Sequence, residues 1–302
     1  MPPGDRRGGW PFQAHVSGLE RSEDIVWKQL ALRFERIDSA IDVFPFDGNP
    51  RGLDRANRGF GNFGSDSVSG EQRYLVSHKV IIEAGAFMVP DFSEQRRQMV
   101  ERQLGRRGIR DPRVLDAMAE IPREQFVPAE SHFIAYFDEP IDIGFRQTIS
   151  QPYMTALMAE LLELEASDNV LEVGTGSGYA AAVLAALARR VVTVELIPRL
   201  AAVARQNLAR TGRDRNVIVV SGDGSLGYPE LAPYDAISVA AGAPAVPQAL
   251  LDQLKDPGRL VIPVGERSDQ ELRVIQKCDG QIESRVATLC RFVPLRGGEG
   301  WQ

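Results

Sequence analysis

The passage NVLEVGTGSGYAAAVLAALARRVVTVELIP, residues 169–198, constrains this chain more than any other. An almost wholly apolar run, 169–173, meets Gly174, Gly176 and Gly178; an Ala- and Leu-rich run follows, then a second apolar run at 191–195. Strands this apolar need cover on both faces, which parallel sheets with crossover helices supply. The glycines allow a tight turn and let a ligand approach main-chain N–H groups at a helix N-terminus. Alternation continues downstream, with a helix over 199–210 and strands at 216–220, 234–240 and 259–264. Residues 271–277 and the run to Phe292 read as a closing antiparallel pair. The expected fold is α/β: a Rossmann-like, doubly wound, mostly parallel sheet closed by that antiparallel pair.

Upstream, a helix is expected from Ser93 to about Leu104, stopped by Gly105 and Gly108. Asp111 caps a second helix with Pro112 at its first position, and Val114, Leu115 and Met118 form its buried face. A third helix follows Pro152, with Leu157, Leu161 and Leu164 on one side. Residues 47–70 are dominated by Gly, Asn, Asp, Ser and Arg, and bury too little apolar surface to offset their ordering entropy. One amphipathic helix is expected before them, over 26–44, with Ser22 as cap and Pro45 as stop. The chain therefore divides into an N-terminal extension, 1–91, and one enzyme-sized domain, 92–302.

Composition narrows the function by exclusion. A net charge of −6 leaves no global positive field for nucleic acid. Cys278 and Cys290 cannot build a disulfide framework, and His15, His78 and His132 are scattered, so no metal site is expected. The longest apolar run, 180–188, is far short of the roughly 20 residues of a membrane span. With no signal-like start, the expectation is a cytoplasmic monomer without membrane or nucleic-acid partners.

A glycine-rich turn after a strand serves several cofactors. Here the spacing is G-x-G-x-G rather than G-x-G-x-x-G, and Glu172 stands two residues before Gly174. A carboxylate there would repel a pyrophosphate but suits a cationic ligand. Glu195 ends the next strand, where an acid can accept from two ribose hydroxyls. Asp223, in the Ser221-Gly222-Asp223-Gly224 turn after the third strand, can accept from an adenine amino group. Sulfonium and ammonium near Glu172 and Gly174, ribose on Glu195 and adenine at Asp223 together describe S-adenosylmethionine. Gly176 and Gly224 complete the backbone cradle.

Before the sheet lies IGFRQTISQPY, residues 143–153, dense in hydroxyl and amide groups. Locally it reads equally well as a capping turn, with Ser150 as cap and Pro152 early in the helix. Yet the chain from about Phe92 onward resembles the protein-L-isoaspartate O-methyltransferase family. The matching stretches are MVERQLGRRGIRDPRVLDAMAEIPREQFVP (99–128), QTISQPY, VLEVGTGSGYAAAVLA (170–185), SGDGSLGYPELAPYDAISV (221–239), GRLVIPVG (258–265) and FVPLRGGEGW (292–301). The resemblance implies methyl transfer from S-adenosylmethionine to the free carboxylate of L-isoaspartyl residues in damaged proteins, with repair through a succinimide. It places the active-site serine at Ser150, and cofactor contacts at Thr148, Ser150, Gly174, Glu195, Asp223 and Gly224. Arg146 departs from the family pattern, which often has a small residue there. The rivals are a methyltransferase of the same fold with another acceptor, a non-catalytic cofactor-binding module and, more distantly, a NAD-dependent dehydrogenase.

Overall fold

The computed structural model describes residues 91–301. The helix expected over 26–44 and the loop over 47–70 lie outside the described residues. Asp91 starts the domain: its Oδ1 accepts the N–H of Ser93 (3.1 Å) and Glu94 (3.2 Å), capping α1 (Phe92–Gln98). The helical path then widens into π geometry over Met99–Leu104 and tightens into a 3-10 turn, Gly105–Arg107. Both ends of the π stretch, Met99 and Leu104, are buried. Gly108 ends the path at φ 103°, a left-handed conformation that glycine adopts without steric cost. Helix α2 (Pro112–Glu120) begins as its sequence dictates, with Asp111 Oδ1 accepting the Arg113 N–H at 2.9 Å. It buries Val114, Ala117 and Met118 and leaves Leu115 partly covered.

A short hairpin follows that local patterning did not announce, β1 (Ile141–Gly144) against β2 (Gln147–Ile149). Phe145 and Arg146 turn its corner at φ 55° and 59°, the left-handed pair that tight hairpins require and side chains resist. Helix α3 (Pro152–Leu161) corrects one expectation. Its buried residues are Pro152, Met154, Thr155, Ala156, Met158 and Ala159, whereas Leu157 and Leu161 are only partly covered; Leu164 is buried as expected but lies past the helix end. The helix is apolar nearly all round, so periodicity could not say which side faced the larger core.

The main sheet runs β3 (Asn169–Val173), β4 (Arg190–Glu195), β5 (Val217–Ser221), β6 (Tyr234–Val239), β7 (Leu254–Gly265), β8 (Gln270–Cys278) and β9 (Gln281–Cys290). Helices α4 (Tyr179–Leu187), α5 (Pro198–Arg210) and α6 (Gln248–Gln253) connect them. The spatial order is β5-β4-β3-β6-β7-β8-β9, parallel through β7 and antiparallel for β8 and β9. Alternate strand residues feed opposite layers, as the two-residue period demands. Val170, Val191, Ala236 and Val261 join the layer with α1 to α4, while Leu171, Val192, Ile237 and Ile262 join the layer with Leu250 of α6. Both edge strands lack two-sided cover: Ile218 of β5 is 40% exposed and Leu289 of β9 77%. Among the described residues no helix is long and apolar enough to cross a membrane.

Candidate active site

Strand β3 pairs with β4 on one side and β6 on the other: the chain winds outward from β3 to β4 and β5, then crosses back to β6 on the opposite side. A crevice opens at such a switch point, outside the C-terminal strand ends. It is lined there by the glycine turn, Glu195, Gly224, the Thr148–Ser150 strand end and the C-terminal stretch Val293–Arg296.

The glycine turn needs its glycines. Gly174, Gly176 and Gly178 have φ of 93°, 56° and 91°, where a Cβ is strained. Gly178 is the N-cap residue of α4, so the helix's first free N–H groups lie at the crevice. Glu195 braces the turn: its Oε2 accepts the Gly176 N–H at 2.9 Å and its Oε1 the Ile197 N–H at 3.0 Å. Each oxygen keeps a lone pair. Gly224 is glycine for a different reason, since a Cβ there would stand 2.5 Å from Val173 Cγ1. Ser177 also lines the crevice, with a buried Oγ that has no partner among the described residues. An orphaned hydroxyl beside free helix N–H groups, with a carboxylate at the next strand end, fits an adenosyl ligand bearing hydroxyls and an amino-acid tail.

Two anticipated residues sit differently. Glu172 does not line the crevice. It is 1% exposed and points, with Val170, to the α1–α4 side of β3, where Thr193 Oγ1 donates to its Oε2 at 2.5 Å. Thr175 Oγ1 lies 2.6 Å from the same Thr193 hydroxyl. Burial pushes the Glu172 carboxyl up to about 8, with the Thr193 bond pulling the other way. Asp223 turns toward the C-terminus: its Oδ1 accepts from Ser225 N (2.9 Å) and Ser225 Oγ (2.7 Å), and its Oδ2 from Gly298 N (2.7 Å). A Cβ at Gly297 would stand 2.0 Å from Asp223 Oδ1, so the final glycines let the tail close onto this turn.

Ser150 lines the crevice but caps nothing. The residue before α3 is Gln151, without a side-chain cap bond, and Ser150 lies one position earlier. Its carbonyl accepts from Arg123 Nη2 at 2.7 Å. Thr148 stands on β2 opposite Asp142, exposed at the crevice mouth. Arg146 is exposed at the hairpin corner. Motif reading did not single out Arg123, which sits in a 3-10 turn with no periodicity, nor the Thr175–Thr193 pair, whose hydroxyls meet only because β3 and β4 lie side by side.

Comparison with known proteins agrees with this geometry. The sequence model of the family "Protein-L-isoaspartate(D-aspartate) O-methyltransferase (PCMT)" matches residues 94–300. Protein-L-isoaspartate O-methyltransferase 2 of Marinobacter nauticus is 57% identical over 213 residues, covering 70% of this chain and 97% of that protein. The protein-L-isoaspartate O-methyltransferase of Methanoregula boonei is 52% identical over 210 residues, covering 70% and 96%. A solved protein-L-isoaspartate O-methyltransferase superposes with a TM-score of 0.60 at 34% identity, covering 68% of this chain and 66% of that one. A putative Plasmodium falciparum member, solved with S-adenosyl-L-homocysteine, gives 0.58 at 28%, covering 67% and 98%. This chain belongs to the protein-L-isoaspartate (D-aspartate) O-methyltransferase family.

Proposed function

We propose that the crevice at the β3–β6 switch point methylates the free carboxylate of L-isoaspartyl residues in damaged proteins and peptides, in the cytoplasm and as a monomer. The observation that carries the reading is the presence of Ser150 and the Glu195-braced glycine turn on one crevice wall-to-wall. S-adenosylmethionine supplies an electrophilic methyl group. The turn from Gly174 to Gly178 would cradle its amino-acid tail, with the free N–H groups at the start of α4 and the Ser177 hydroxyl as donors. Glu195 receives the ribose hydroxyls on its two remaining lone pairs. Asp223 would offer the adenine amino group the remaining lone pair of Oδ2, and Gly224 lets the turn that carries it pack against β3. Glu172 sits behind the glycine turn, where its carboxyl accepts from Thr193 and ties β3 to β4 beneath the site.

An acceptor carboxylate is already ionised at neutral pH, so no strong base is required. Among the described residues lining the crevice there is no His or Cys. The protein's contribution is then proximity and alignment. Ser150 Oγ donates to the acceptor carboxylate and Thr148 borders its entry, while Val293 and Leu295 form an apolar wall.

The test is methyl transfer to an isoaspartyl peptide and to its normal aspartyl twin. Transfer to the isoaspartyl form alone is expected. Equal transfer to both, preference for a small-molecule acceptor, or cofactor binding without turnover would each sink the reading.

A further inference from the structure

Arg123 lies in the 3-10 turn Arg123–Phe126, far from the cofactor acids in sequence, and is 0% exposed. Its Nε donates to the Ala135 carbonyl at 2.7 Å and its Nη2 to the Ser150 carbonyl at 2.7 Å. Its Cζ stands 4.9 Å from the ring centroid of Tyr179, itself part of the crevice wall. The third nitrogen, Nη1, is buried without a partner among the described residues. Among the described residues no ion pair offsets the charge there; the neighbouring Glu124 carboxylate receives the Tyr136 hydroxyl instead. Burial holds the guanidinium below the ordinary arginine range, yet arginine stays charged in proteins.

This is a poor way to stabilise a core. A buried cation without a counter-ion costs several kcal/mol, and apolar residues of similar volume often fill such space better. What a guanidinium offers is a rigid planar fork. Here the fork ties the turn after α2 to the main chain of Ser150 and lies against the Tyr179 ring. The same segment is held from its other side, where Tyr153 N and Gln151 Nε2 donate to Asp138 Oδ1 (3.0 Å) and Oδ2 (3.4 Å), with Asp138 paired to Arg107. Ser150 thus hangs between two polar anchors that both come from residues before the sheet.

We propose that Arg123 is a positioning residue: its fork sets the Ser150 main chain, and so the Ser150 hydroxyl, against the Tyr179 wall at the distance in-line methyl transfer requires. The inference rests on the reading of Ser150 given above, and its test separates the two. Full-length Arg123→Lys, Arg123→Met, Ser150→Ala and the double variant Arg123→Lys/Ser150→Ala are compared. The readouts are kcat and KM for an isoaspartyl peptide, calorimetric Kd for S-adenosylmethionine, and the melting midpoint.

Arg123→Lys is expected to lower kcat about 10-fold, since one point charge cannot reach both carbonyls, with cofactor Kd within about 3-fold. Arg123→Met is expected to lower kcat at least as far while melting within a few degrees of the parent. The double variant is expected to be no more than about 2-fold slower than Ser150→Ala, because the two changes break one device. Multiplying losses in the double variant would overturn the inference. So would a kcat loss that only tracks a collapsed midpoint in both Arg123 variants, or a parental kcat in Arg123→Lys beside a slow Ser150→Ala. A parental kcat in Ser150→Ala would remove the Ser150 reading itself, and this inference with it.

Discussion

The two walls of the crevice are made differently. The cofactor wall, from β3 to the Gly224 turn, is built mostly from backbone: three left-handed glycines, a helix start, and Glu195, whose backbone partners lie within twenty residues. The acceptor wall, around Ser150, is built from side chains that arrive from elsewhere, with Arg123 27 residues upstream and Asp138 15 residues before Tyr153. Backbone sites need particular residues at particular spacings and so leave a pattern in the chain. Side-chain scaffolds need only the right atoms in one place, and an isolated arginine carries no spacing.

The largest expected effect tests the cofactor wall. Glu195→Ala removes the acceptor of two backbone N–H groups as well as the ribose acceptor. Cofactor Kd should rise about 100-fold, close to 3 kcal/mol, in a calorimetric titration. A change below about 3-fold would mean the turn keeps its shape and its ligand without the brace.

Next is the buried carboxyl beneath that wall. Glu172 titrates near 8 in the folded chain against an ordinary value of 4.5, so between those limits the folded state holds a proton that the unfolded chain has shed. Stability should therefore fall as pH rises through this window and level off above it. Glu172→Gln cannot ionise, and its stability relative to the parent should improve by about 2 kcal/mol between pH 6 and pH 8, read from urea midpoints. Parallel pH profiles for the two proteins would show that Glu172 is already ionised where it lies.

On the acceptor wall, Ser150→Ala should lower kcat about 10- to 30-fold, equivalent to about 1.5–2 kcal/mol, and shift cofactor Kd less than 3-fold. Were Kd to move as far as kcat, the contrast between the walls would dissolve. The smallest effect is assigned to Arg146. It is exposed at the corner of the β1–β2 hairpin, and Arg146→Ala should change peptide KM by less than about 2-fold. A larger rise in KM would enlist it as a cation for the substrate carboxylate.

The α/β alternation, the parallel sheet, the glycine turn and the Glu195 strand end were legible in sequence because each is a local rule repeated. Asp111 at its cap and Gly108 at its stop were legible for the same reason. The β1–β2 hairpin was not, since its corner is Phe145-Arg146 where the usual turn signals would be Asn or Gly. The buried side of α3 was hidden because nearly every residue of that helix is apolar.

Sequence alone marks the strand, glycine turn and helix start on which the proposed cofactor site is built, because strand period, glycine conformation and helix ends act over a few residues. Only the tertiary structure decides which face Glu172 takes, what Asp223 holds, and what carries Ser150. Those outcomes depend on burial and on partners from distant segments: Thr193 across the β3–β4 pair, Gly298 at the far end of the chain, and Arg123 beneath the acceptor wall. A carboxylate's position in the chain says nothing of the dielectric around it, and a serine's says nothing of the fork that aims it.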